Sequence, residues 1–367
     1  MKTIVKGMEG VEEAAEVIRR GGLVAFPTET VYGLGGNALD PEASRKIYAA
    51  KGRPSDNPLI VHVSCMEEVD ALVSAFPEDA RKLMETFWPG PLTIIMPKAE
   101  CVPLETTGGL NTVAIRCPEN KLTLAFIKAA ERPIAGPSAN TSGKPSPTEA
   151  EHVLHDLDGK IDMILDDGPV GIGVESTIID VTGEVPTLLR PGAITLEELS
   201  QTLGKTVEVD PAIVAGGVKE GIHPKAPGMK YRHYAPNARM ALVTTAFLKE
   251  HDYGVSGEDR KNEDRKVASA IEHLVKKDEA EGKKVGIICC EETRELYAGE
   301  YEADLKVIGR RSDPLSMTHE LFRILREFDD DQVETIYAES YSDHGVGFAL
   351  MNRMRKAAGM TELLADV

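Results

Sequence analysis

The chain has 367 residues, 42% of them hydrophobic and 28% charged, with a formal net charge of −18. That length favours two domains and that composition a packed core, and no apolar run reaches the roughly 18 residues of a membrane helix. The acidic balance excludes a protein that clamps nucleic acid over its whole surface.

The first residues, Met-Lys-Thr-Ile-Val-Lys-Gly-Met-Glu, lack the apolar stretch of a secretory signal. Residues 11–20 pattern as a short amphipathic helix, followed by Gly21-Gly22 and a strand at 23–26. A helix is expected at 41–51, with Asp40 as N-cap and Pro41 in its first position. A strand at 59–63 and a helix at 78–87, ended by Trp-Pro-Gly, come next. Further strands are expected at 92–96, 113–116, 161–165, 176–181 and 187–190, with helices near 119–130 and 196–203. Their irregular interleaving predicts a mixed α/β sheet.

Residues 206–239 break the rhythm with Gly216-Gly217, Pro224, Pro227 and Pro236, and read as a functional loop or linker. From 221 to 239 this stretch carries Lys225, Lys230, Arg232 and Arg239 and no acidic residue. Beyond it, apolar runs at 240–244, 285–290, 305–308 and 333–338 suit strands buried on both faces. Helix-like stretches at 265–281, 315–328 and 346–358 alternate with them, predicting a smaller Rossmann-like parallel domain. Polar residues 254–264 read as a loop.

Three segments carry the chemistry: FPTETVYGLG at 26–35, KGRPSDNPLIVHV at 51–63 and GPSANTSGKPSP at 136–147. Each combines Gly and Pro, which fix a backbone path, with side chains able to grip an anion, as loops of a site for a phosphorylated, carboxylate-bearing substrate would. Gly33-Leu-Gly-Gly-Asn-Ala38 matches a dinucleotide fingerprint, but no βαβ unit surrounds it, so turn-forming glycines are the better reading. Gly143-Lys144 is no Walker A loop, because Pro145 stands where a magnesium-binding hydroxyl belongs. Ser138, Asn140, Ser142 and Ser146 nevertheless offer polar groups within nine positions.

Lys51 and Arg53 flank Gly52 just past a helix end, in a loop stiffened by Pro54 and Asn57-Pro58. His62 sits in an otherwise apolar strand, where a satisfied core histidine and a ligand contact are equally fair readings. Arg116 and Arg190 each end a strand, the position from which a guanidinium can take carboxylate or phosphate in bidentate fashion. Glu175-Ser-Thr-Ile adds two hydroxyls at a strand start. His152 and His155 could share a helix face but lack further ligands, and no cysteine pair has zinc spacing. The five cysteines suit a reducing cytoplasm.

With PGPLT, TVAIRCP, ESTIID and LLRPGAI, the three segments occur in the order found in YrdC-like threonylcarbamoyl-AMP synthases, which the chain resembles. APGMKYRHYAP and GVGFALMNRMRKAA look like the two-domain form of that family, and the resemblance runs from about Ile4 to Ala358. It implies a YrdC-like catalytic domain over 1–205 with a concave active-site face, a basic linker over 206–239 that closes on the site, and a Rossmann-like domain over 240–367. It implies too that L-threonine, bicarbonate and ATP are joined into threonylcarbamoyl-AMP and pyrophosphate, for a tRNA modification next to the anticodon.

Carried over by position, Thr30, His62, Arg116 and Ser176 are the expected threonine contacts. Lys51, Arg53, Asn57, Thr112, Ser138, Asn140, Ser146 and Arg190 are the expected ATP contacts, with Tyr234 reaching back over the nucleotide. Lys51, Arg53 and Arg190 are the catalytic candidates, and Mg2+ is expected with ATP, held by ligands the resemblance leaves unnamed. Expected partners are the downstream tRNA threonylcarbamoyl-transfer machinery and, transiently, tRNA, in the cytoplasm and away from membranes. The rival readings are a module for double-stranded RNA or tRNA and a carbamoyltransferase of the same fold. The zinc-finger cysteines of the hydrogenase-maturation carbamoyltransferases are absent.

Overall fold

The computed structural model describes residues 2–215, 224–227, 233–299 and 301–365. Two compact units divide the chain, Met1–Tyr231 and Arg232–Val367.

The strands of the first unit are β1 (Ile4–Lys6), β2 (Val24–Phe26), β3 (Gly33–Asn37), β4 (Ile60–His62), β5 (Leu92–Pro97) and β6 (Thr112–Arg116). They are followed by β7 (Ile134–Gly136), β8 (Met163–Leu165), β9 (Thr177–Asp180), β10 (Thr187–Arg190) and β11 (Glu208–Val209). These strands form one sheet in the order β1-β8-β2-β3-β7-β4-β6-β5-β9-β10-β11. Parallel and antiparallel pairs mix: β4 runs parallel to β6, and β5 antiparallel to it. The mixed sheet expected from the sequence is present. One part of its core packs the helices Val11–Arg19 and Lys121–Ala130 over Val24, Phe26, Ile134 and Met163.

Gly33-Leu-Gly-Gly-Asn is not a turn, as the sequence suggested, but the strand β3. A Cβ at Gly33 or Gly35 would lie 2.7 or 2.9 Å from the Phe26 ring, so these glycines let an aromatic ring lie flat on the strand. The helix Pro41–Lys51 forms as expected, with the Asp40 carboxylate accepting from the Glu42 N–H at 2.9 Å. It ends at Gly52, whose φ of 63° no β-branched residue would tolerate. That left-handed cap turns the chain so that both Lys51 and Arg53 are buried.

Part of the stretch expected as a linker belongs to the first unit. Glu208–Val209 pair with β10, and Pro211–Val214 form a short helix capped by Asp210. Ala226 is fully buried among Ile60, Ile95, Ala114, Ile178 and Leu189, and Lys225 pairs with Asp180 at 3.1 Å. Side chains alternate along a strand, so Ile60 shares its face with His62, and Ala114 shares its face with Arg116. Residues 224–227 are therefore docked on the face of the sheet that carries those two residues. Gly216, Gly217, Lys230, Tyr231 and Arg232 lie outside the described residues.

The second unit has strands β12 (Arg239–Thr244), β13 (Val285–Cys289), β14 (Asp304–Val307), β15 (Thr335–Glu339) and β16 (Glu362–Leu364). They are parallel throughout, in the order β14-β13-β15-β12-β16. This is the Rossmann-like arrangement the alternating pattern predicts. Helix Gly257–Ala280 packs Val267, Ala268, Ile271 and Val275 onto Val243, Val285 and Ile287. It begins within the polar stretch expected to be a loop. Two of the acidic residues there are buried and paired: Glu263 with Thr245 and Lys266, and Asp264 with Arg260 and Arg311. Ion pairing stands in for the apolar periodicity that usually marks a helix.

Candidate functional site

His62 and Arg116 end neighbouring parallel strands and are register partners. β5 runs back beside β6, its first residue Leu92 is partnered by Thr177 of β9, and Arg190 closes β10 opposite Ile178. Strand order therefore brings His62, Arg116, Ser176 and Arg190 to one end of the sheet.

Arg116 is 3% exposed and held on three sides. Its Nε donates to the Gly90 carbonyl at 3.3 Å and Nη1 to the Thr30 hydroxyl at 2.9 Å, while Nη2 lies 2.6 Å from Oε1 of Glu29. Thr30 in turn shares a hydroxyl contact of 2.8 Å with Thr28. His62 stands edge-on to Phe26, with ring centroids 5.2 Å apart, and its Nδ1 is 3.2 Å from the Ile134 carbonyl. Burial, and then the charge of Arg116, lower its pKa to about 3, so the imidazole is neutral at physiological pH. The strand histidine is thus both a satisfied core residue and a neighbour of the guanidinium.

Ser176, expected with threonine, and Arg190, expected with ATP, touch each other. Arg190 Nε donates to the Ser176 carbonyl at 2.9 Å and Nη2 to its hydroxyl at 3.1 Å. The same hydroxyl is 2.8 Å from that of Thr93. Ser146 donates to Glu175 Oε1 at 2.5 Å, tying the 136–147 loop to the residue preceding Ser176.

Lys51 is 2% exposed. Its Nζ donates to the carbonyl oxygens of Ser138, at 2.5 Å, and of Asn140. The Ser138 hydroxyl donates to Asn140 Oδ1 at 2.5 Å, and the Asn140 amide donates to the carbonyls of Thr141 and Lys144. A buried lysine therefore fixes the loop while carrying positive charge to its base. Arg53 Nη2 donates to the carbonyls of Asn57 and Pro58. Asn57 is buried, and its Oδ1 has no hydrogen-bond partner among the described residues. Thr112 stands apart, four residues and roughly 13 Å along β6 from Arg116.

Tyr234 belongs to the second unit, at a φ of 65° that few tyrosines adopt. Its ring packs 5.1 Å from that of Phe322, and the Arg353 guanidinium lies 5.8 Å from its centroid. His152 accepts from the Thr148 N–H at 3.2 Å, and His155 stands beside Asp156. Among the described residues no three His, Cys, Asp or Glu side chains group as metal ligands would.

Two carboxylates of this region, Glu29 and Glu175, were not singled out from the sequence. Both lie inside recognisable segments, but read alone each is one acid among sixty. The signal that identifies them is contact with Arg116 and Ser146, which only the fold supplies.

Residues 16–192 match the Sua5/YciO/YrdC family, described as telomere recombination, and residues 194–359 match the threonylcarbamoyl-AMP synthase C-terminal domain. The chain is 46% identical to the threonylcarbamoyl-AMP synthase of Pyrococcus abyssi over 98% of both chains. It is 45% identical to that of Bacillus subtilis over 95% of this chain and 93% of the relative, and 38% identical to that of Schizosaccharomyces pombe over 95% and 88%. Among solved structures it is similar to P. abyssi Sua5 complexed with L-threonine, at 44% identity and a TM-score of 0.85, covering 99% of this chain and 98% of that one.

Proposed function

The chain belongs to the threonylcarbamoyl-AMP synthase family and is an enzyme, and we propose that it acts as a nucleotidyltransferase on L-threonine, bicarbonate and ATP. The observation that carries this reading is the pair of buried guanidinium groups, Arg116 and Arg190, at one end of the sheet, beside a loop held by Lys51. One guanidinium suits a carboxylate, and the other, with the loop, suits phosphates. The P. abyssi relative solved with L-threonine supports the amino-acid half of the assignment.

In this reading Thr30, His62, Arg116 and Ser176 hold threonine. Lys51, Arg53, Asn57, Thr112, Ser138, Asn140, Ser146 and Arg190 hold ATP. The threonine amine and bicarbonate give a carbamate and water. A carbamate oxygen then attacks the α-phosphorus, forming the new O–P bond as the bond to the bridging oxygen breaks and pyrophosphate leaves.

No covalent nucleophile is required, so the protein's work is alignment of the two reactants and stabilisation of charge on the transferring phosphoryl group. Lys51, Arg53 and Arg190 supply that charge. His62, neutral beside Arg116, adds no further positive charge to the threonine contacts. Magnesium would neutralise phosphate charge while held chiefly by ATP and water. The product would pass to the tRNA threonylcarbamoyl-transfer machinery, with transient tRNA contact, in the cytoplasm. No described helix is long and apolar enough to cross a membrane.

The test is pyrophosphate release by the full-length protein with ATP, magnesium, L-threonine and bicarbonate, each omitted in turn. Release that needs all four supports the reading. Release that needs carbamoyl phosphate, or ignores threonine, contradicts it.

A further inference from the structure

Arg116 is the expected receptor of the substrate carboxylate, yet an α-amino acid carries an ammonium group two bonds from that carboxylate. A dry pocket holding only a guanidinium and a neutral imidazole would repel the ammonium, since an unpaired buried charge is strongly disfavoured. An anion must therefore stand beside Arg116, and Glu29 does. Its Oε1 is 2.6 Å from Arg116 Nη2, with the two side chains only 12% and 4% exposed. Together they make the pocket neutral overall, as a zwitterion requires.

Three features show Glu29 as built into the site rather than draped over it. Its Oε2 accepts from the Glu119 N–H at 3.1 Å, and its own carbonyl accepts from the Ile172 N–H at 2.8 Å. The side chain is thereby fixed from the segment after β6 and the backbone from the segment before β9. Third, Oε1 of Glu29 and Nη2 of Arg116 meet as an ion pair without making an aligned hydrogen bond, and each is buried with no other partner. Both atoms thus keep hydrogen-bonding capacity for a ligand. Glu175, the other carboxylate of the region, is already engaged by the Ser146 hydroxyl.

We propose that Glu29 receives the α-ammonium group of the amino-acid substrate while Arg116 receives its carboxylate. The proposal rests on the reading of this pocket as the threonine site. Glu29 is then the residue that makes the site select an amino acid over a hydroxy acid of the same shape.

The test is calorimetric titration of the full-length protein with L-threonine and with 3-hydroxybutanoate, which is threonine without its amine. The wild-type protein should prefer threonine by about tenfold or more, the scale of a charged hydrogen bond. Glu29→Gln should weaken threonine by a similar factor and bind 3-hydroxybutanoate no more weakly, erasing the preference. Glu29→Asp, which keeps the charge but shortens its reach, should retain part of it and serves if the Gln variant does not fold. Equal weakening of both ligands would show that Glu29 only positions Arg116, and unchanged threonine binding would show that it does neither; each overturns the proposal. Failure of the wild-type protein to bind threonine would overturn the reading of the pocket itself, and the proposal with it.

Discussion

The ammonium of Lys51, the last residue of its helix, lies 2.5 Å from the carbonyl oxygen of Ser138 and also donates to that of Asn140. Eighty-seven residues separate Lys51 from Ser138 in sequence. One buried cation thus fixes the loop whose side chains are the proposed nucleotide contacts.

Lys51→Met keeps most of the length of the side chain and removes every donor. The loop loses its anchor and the site loses a charge, so turnover should fall by about a hundredfold or more. Lys51→Arg should not restore it, because a planar guanidinium cannot take the place of a compact ammonium between two carbonyls. Steady-state kinetics in ATP check this, with circular dichroism to confirm folding. Near-normal turnover in Lys51→Met would remove the lysine from the mechanism.

Arg116→Ala takes away the receptor of the threonine carboxylate and strands Glu29. Threonine binding should weaken by about 2–5 kcal/mol, much of it the cost of leaving a charge unpaired. ATP affinity should change little, since the proposed phosphate contacts lie on other segments. Calorimetry with each ligand separately decides it, and equal losses for both would contradict the assignment.

His62 gives a pH signature. Its folded pKa of about 3 lies below the ordinary value of 6.5, so the unfolded chain takes up a proton first as pH falls. The resulting penalty on the native state is absent above about pH 6.5 and grows as pH drops from there toward 3. His62→Gln should therefore lose less thermal stability than the wild type between about pH 7 and about pH 4.5, which covers the upper part of that window, each variant measured against its own value at about pH 7. Its pH–rate profile near neutrality should keep the wild-type shape, because the imidazole does not ionise there. Parallel stability curves would show that His62 is not held neutral.

Ala226 tests whether the docked segment matters. The methyl group is enclosed by Ile60, Ile95, Ala114, Ile178 and Leu189, so Ala226→Glu must bury a carboxylate or lift residues 224–227 off the sheet. Trypsin should then cut after Lys225 much faster than in the wild type, and activity should fall. Faster cleavage with full activity would make the segment a tether only.

Much of the site was legible in the sequence because its residues come in short segments with strong local meaning. Asp40-Pro41 and Gly52 mark a helix by its ends, and that helix delivers Lys51 and Arg53 as expected. Strand ends gave Arg116 and Arg190, since a charged residue closing an apolar run has few structural reasons to be there. What escaped depends on pairing between distant segments. Gly33 to Asn37 reads as a turn until the Phe26 ring is seen lying on it. The first turns of Gly257–Ala280 read as a loop because Glu263 and Asp264 are buried through partners elsewhere in the second unit. Glu29 is invisible for the same reason, its meaning coming from Arg116.

The most direct test of the account follows the atoms. The full-length protein is given 15N-labelled L-threonine, 13C-labelled bicarbonate and ATP with magnesium, and the products are read by NMR before the mixed anhydride hydrolyses. The expected result is a 13C signal coupled directly to 15N and, through oxygen, to the phosphorus of AMP, appearing in step with pyrophosphate. Pyrophosphate formed without that doubly coupled carbon would contradict it.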